Sequence, residues 1–126
     1  MRLMFLGDIS LGEHYFSFGH GPRSIIEKGN RIFSDVEDVL SKADFVIGNL
    51  EGPLSDIGFC AKDPNSRVFR GDPKSINQLI DSGINVLNIA NNHILQHGKD
   101  CFIDTVNKLK SAGISVTGLS YEPDNY

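Results

Sequence analysis

The chain has 126 residues, a formal net charge of −4, 40% hydrophobic and 22% charged residues, the make-up of one ordinary globular domain or of part of a larger one. Its 12 Lys and Arg are scattered among 16 Asp and Glu, which argues against the basic face a nucleic-acid partner requires, and no apolar run approaches the ~20 residues that span a bilayer. Cys60 and Cys101 lack metal-type spacing and read as free thiols of a reducing compartment; with an N-terminal apolar stretch too short for a secretory leader, a cytoplasmic location is expected.

In chain order, Leu3–Leu6 is a short apolar strand closed by Gly7-Asp8. Residues 12–30 follow as a long polar loop. Ile32, Phe33, Val36, Val39, Leu40 and Ala43 then take helical spacing, and Ser34 with Glu37 forms the pattern of a capping box. A second strand, Phe45–Ile47, exits through Gly48-Asn49, with Glu51 just beyond. Residues 52–71 make the second long loop. Asp72 as N-cap, Pro73 at the first helical position and Gly83 as the stop bound a helix whose core face is Ile76, Leu79 and Ile80. The third strand, Val86–Ala90, runs into Asn91, Asn92 and His93. A helix over Lys99–Ala112, with Ile103, Val106 and Leu109 inward and Gly113 ending it, leads to a fourth strand, Ile114–Thr117. Continuous apolar strands alternating with helices predict an α/β fold, mainly a parallel sheet with crossover helices, as a single domain over 1–126.

Three successive strands thus deliver Asp8, then Asn49 and Glu51, then Asn92 and His93 to the carboxyl edge of the sheet, where ligands of open α/β sheets bind. Taken singly, Gly-Asp and Gly-Asn close tight turns. Three in succession, ending in Asn-Asn-His, instead point to a shared divalent cation, with carboxylates for charge, amides as neutral donors and an imidazole to bind or move a proton. Asn91 reads as bonding the backbone of its own turn. His14 and His20 read as solvated loop histidines, and Lys99 as part of a solvated helix face. Phe16, Phe18 and Phe59 either pack under the loops or line a groove. Arg70 is either a surface residue paired with Asp72 or another carboxylate, or an anion clamp. His97 either caps the helix it precedes or binds substrate.

The blocks "GDISLG" at 7–12, "GNLEGPL" at 48–54, "FRGDP" at 69–73 and "ANNHILQHG" at 90–98 resemble those of the CapA/PgsA family of capsule and poly-γ-glutamate biosynthesis proteins. That family is related in fold to calcineurin-like metallophosphoesterases, and the segment 104–120 resembles its next helix and strand. The resemblance implies the N-terminal half of a metallophosphoesterase-like αββα sandwich. It implies divalent metal held by Asp8, Asn49, Glu51 and Asn92, and His93 as catalytic acid. It also places the Arg70 block near the site, so that Arg70, with His97 as a further candidate, is expected to bind a phosphorylated or polyglutamate-related substrate. The expected reaction is hydrolysis of a phosphoester or acyl-phosphate. Ser10 stands where metallophosphoesterases carry a histidine, and their later histidine motifs have no counterpart before Tyr126. The other reading is therefore a non-catalytic component that binds or exports polymer through the same pocket. A half-sheet would also expose an edge and apolar surface, which predicts a homodimer.

Overall fold

A computed structural model describes residues 1–119; residues 120–126, which include the end of the 104–120 segment, lie outside it. Four strands, β1 (Leu3–Ile9), β2 (Phe45–Leu50), β3 (Val86–Asn88) and β4 (Ser115–Thr117), form one sheet in the order β1-β2-β3-β4. Every neighbouring pair is parallel, which is the expected α/β architecture. The helices are α1 (Pro22–Glu27), α2 (Glu37–Leu40), α3 (Ser75–Asp81) and α4 (Lys99–Ser111). None of the described helices is long and apolar enough to cross a membrane.

Sequential parallel strands joined by right-handed crossovers put successive helices on the same side of the sheet. Burial along the strands agrees: Val46, Leu50 and Leu87 are buried, whereas Leu3, Phe5 and Phe45 on the opposite face are 45%, 72% and 44% exposed. The core beneath the helices unites Val46, Leu50 and Leu87 with Ile76, Leu79, Phe102, Val106 and Leu109.

Several boundaries differ from the sequence reading. The Ser34–Glu37 capping box does not form. Val36 holds the N-cap position of α2 with no side-chain bond, Ser34 Oγ reaches only Asp35, and the Glu37 carboxylate accepts from Arg31. Packing of Ile32 and Phe33 against the core fixes this segment, and α2 keeps four residues. Asp72 caps the turn that feeds α3: its Oδ1 accepts from Lys74 N at 2.8 Å and its carbonyl from Ser75 N at 2.9 Å. The helix itself begins two residues after Pro73.

Ile80 and Ile103, expected in the core, are 44% and 41% exposed. Helix α3 stops at Asp81, the chain turns at Gly83 (φ 83°), and Ile84 takes the buried place beyond Leu79. On α4 the buried stripe is Cys101, Phe102, Thr105, Val106 and Leu109, so Ile103 falls outside it. Strand β3 is shorter than Val86–Ala90, although Ile89 still donates to Thr117 O.

The two long loops are folded against each other. Residues 12–30 contain α1, and residues 52–71 contain a 3-10 turn over Pro64–Arg67. Glu13 N donates to Arg67 O and Phe69 N to Glu13 O, while Gly71 N donates to Pro53 O. Beneath this seam Arg23, 2% exposed, donates to Gly71 O, Glu27 and Asp56 and lies 3.8 Å from the centre of the Phe59 ring. Phe59 thus packs under the loops. Phe16 is 90% exposed and stacks only on His14. Both cysteines are free, Cys60 exposed and Cys101 buried.

Candidate functional site

The parallel register places Asp8 beside Asn49 across β1 and β2, and Asn49 beside Asn88 across β2 and β3. These neighbours are hydrogen-bonded through their side chains. Asn49 Nδ2 donates to Asp8 Oδ1 at 2.8 Å, and Asn49 Oδ1 accepts from Asn88 Nδ2 at 2.8 Å and from Asn91 Nδ2 at 3.2 Å. Asn49, expected as a metal ligand, therefore has both ends of its amide engaged as the hub of a polar row. Asn91 shapes the turn after β3. Its Oδ1 accepts from His93 N and Ile94 N, as expected for its own turn, and its Nδ2 also donates to Leu50 O at 2.8 Å. One side chain both shapes the turn and ties it to the end of β2.

That turn delivers His93 to the rim. His93 Nε2 lies 3.5 Å from Glu51 Oε1, and Nδ1 lies 2.8 Å from Gln96 Oε1. An amide oxygen only accepts, so Nδ1 carries a hydrogen and Nε2 faces the carboxylate as the nitrogen that exchanges a proton. Asn92, exposed, brings its amide nitrogen within 3.2 Å of the same Nε2. The Phe69 ring stacks on the imidazole at 3.7 Å, and His14 meets Phe69 edge-on at 4.7 Å.

Burial pushes the Glu51 carboxyl above its ordinary value, and the hydrogen bond and charge of Asp8 push it further, against the opposing pull of His93 and His14. Two carboxylates in contact cannot both ionise freely. Asp8, Glu51, Asn92 and His93 are thus gathered on one rim. Sequence reasoning missed His14, Phe69 and Gln96; His14 was read as solvated loop and is half-buried beside the acids.

Arg70 and His97 are together, lining one pocket that His93 does not line. His97 Nε2 contacts Val68 O at 2.7 Å and does not cap α4, and burial lowers its pKa. Arg70 Nη1 donates to Ile57 O at 3.1 Å and pairs with neither Asp72 nor another carboxylate among the described residues. His20 is exposed.

For a metal, the donor chemistry is partial. Among the described residues no group of three or more His, Cys, Asp or Glu is arranged to hold an ion. Asp8 and Glu51 with the Asn92 amide make an oxygen set suited to one hard divalent cation, and the raised Glu51 marks negative charge that a proton or a cation would neutralise. Because its folded-state pKa is raised, Glu51 favours folding below the ordinary carboxylate range and penalises it as pH rises through the folded value. Glu51→Gln is therefore expected to stabilise the fold at about pH 7 and to lose that gain near pH 4. Urea unfolding at the two pH values checks this; a gain confined to the lower pH would contradict it.

Fold and rim together define a parallel α/β domain with an acidic, amide-rich and imidazole-bearing site at the carboxyl ends of its strands. Residues 2–125 match the family described as bacterial capsule synthesis protein PGA_cap, and the chain belongs to that family. It is similar to the PGA biosynthesis protein CapA of Bacillus subtilis (strain 168), with 27% identity over 118 residues covering 93% of this chain and 30% of that protein. It is also similar to the capsule biosynthesis protein CapA of Bacillus anthracis, with 26% identity over 122 residues covering 94% of this chain and 28% of that protein. The chain spans about 30% of the length of these curated relatives.

Proposed function

We propose that this chain supplies part of a metallophosphatase-type hydrolytic site acting on a phosphoester or acyl-phosphate during capsule or poly-γ-glutamate synthesis. One observation carries the reading: Glu51 neighbours both Asp8 and His93, its carboxyl raised by burial and then by Asp8, and its oxygen 3.5 Å from His93 Nε2. A divalent cation held by Asp8, Glu51 and Asn92 would supply charge neutralisation for a phosphoryl group. His93, oriented by Gln96 and flattened against Phe69, holds a proton at Nε2 for a departing oxygen. The test is release of phosphate from p-nitrophenyl phosphate and acetyl phosphate by the intact protein, with Mg²⁺, Mn²⁺ or chelator added. Metal-dependent turnover supports the reading, and none with any ion refutes it.

The partial donor set and Ser10 favour a second reading, a non-catalytic component that binds or exports polymer through the same rim. Polymer binding by the intact protein, unaffected by chelator and without turnover, would select it. Two free thiols fit a reducing compartment such as the cytoplasm. For the homodimer, the open β1 edge and the exposed Leu3, Phe5 and Phe45 supply the surface. Sedimentation is expected to show self-association weakened by Phe5→Ser; a monomer at all concentrations contradicts it.

A further inference from the structure

A cavity of about 380 Å³ is lined by Tyr15, Cys60, Ser66, Arg70, Gln96 and His97. Arg70 is 3% exposed. Its Nη1 is hydrogen-bonded to Ile57 O, while its buried Nε has no hydrogen-bond partner. Asp56, the carboxylate whose charge reaches Arg70, is already paired with another cation. Asp56 and Glu27 pair with Arg23 at 2.8 and 2.9 Å, and Glu27 also with Arg67 at 3.1 Å. No carboxylate among the described residues pairs with Arg70. A buried guanidinium without a counter-ion is costly, and an unpartnered donor adds to that cost. Burial weighs most against its charged form and the like charge of Arg23 adds to this, while Cys101 and Asp56 oppose it only in part.

From this arrangement we infer that the cavity is a carboxylate-binding site in which Arg70 pairs with one acidic group of a small ligand or chain end. Arg70 lines the cavity, and with only Nη1 tied, to Ile57 O, its guanidinium keeps donor capacity for one carboxylate. Asp63 also lines the cavity, and its charge opposes a phosphate dianion more strongly than a single carboxylate. The volume admits a short aliphatic acid and falls at the small end of ligand pockets. Tyr15, Ser66 and Gln96 add hydroxyl and amide groups able to bond the remainder of such a ligand. The cavity adjoins the rim: the Phe69 ring lies on His93, the next residue, Arg70, lines the cavity, and Gln96 lines it too while bonding His93 Nδ1. Binding here does not depend on the hydrolytic reading of the rim.

Cys60 is exposed and lines this cavity, while Cys101 is buried, so N-ethylmaleimide labelling of the intact protein reports on occupancy. Glutarate at ~10 times its Kd is expected to slow Cys60 labelling about tenfold. Arg70→Gln should abolish the protection, and His93→Ala should preserve it even if hydrolysis is lost. In unmodified protein, the Arg70 Nε–H resonance should move on glutarate titration, a measurement that does not require the variant to fold. Absence of both protection and resonance shift would overturn the inference. So would equal protection by orthophosphate, or protection that survives Arg70→Gln.

Discussion

Replacing His93 with alanine in the intact protein is expected to lower the proposed phosphoester hydrolysis by a factor on the order of 10² to 10⁴, the usual contribution of a positioned acid or base. The fold should survive. The side chain is on the rim, and the turn that carries it is held by Asn91, whose bonds run to the backbone at positions 93 and 94 and to Leu50. Nδ1 is fixed by Gln96 and the ring by Phe69, so only Nε2 is available to a substrate oxygen. Gln96→Leu should therefore reduce turnover less than His93→Ala and alter its pH profile, because it frees the tautomer without removing the imidazole. Unchanged turnover in His93→Ala, with circular dichroism showing an intact fold, would remove the acid role.

The largest stability loss is expected from Gly52→Ala. Gly52 has φ 103°, a backbone region an alanine enters only with strain, and a Cβ there would overlap the Phe69 carbonyl. Gly12 makes a similar approach from the other loop, where a Cβ would meet the backbone of Phe69 and Arg70. Two strand exits therefore close around Phe69, which takes φ 52° as a non-glycine residue. Gly52→Ala should destabilise by about 3 kcal/mol, combining backbone strain with displacement of a packed segment. It should also loosen His93, since Phe69 is the surface the imidazole rests on. Urea unfolding gives the first effect. A midpoint equal to wild type would contradict the packing described around Phe69.

The sheet and the acids of the rim were legible because both are local. Apolar runs leading into Gly-Asp, Gly-Asn and Asn-Asn-His locate the strands, although Gly7-Asp8 and Gly48-Asn49 lie inside β1 and β2, which continue to Ile9 and Leu50. Parallel pairing brings Asp8 beside Asn49. Helix α4 was bounded to within a residue by its glycines, yet its facing was misjudged at Ile103 because Cys101 and Thr105 were not counted as core. Thr105 is buried by bonding Cys101 O and Leu54 N, a satisfaction that hydrophobicity alone does not reveal. His14 and Phe69 were illegible for a different reason. They meet through hydrogen bonds between loops more than fifty residues apart, around glycines that permit close approach, and no periodicity encodes such a meeting. Arg70 and His97 were each singled out separately, and the structure places both in the lining of one cavity.

Whether the strand-end groups act as one site is tested most directly by Mn²⁺ titration of the intact protein, followed by paramagnetic broadening of its histidine resonances. The ring signals of His93 and His14 should broaden together at low Mn²⁺ while exposed His20 stays sharp, and Asp8→Asn should abolish the effect. Uniform broadening of all histidines, or none at His93, would contradict a common site built by Asp8, Glu51 and His93.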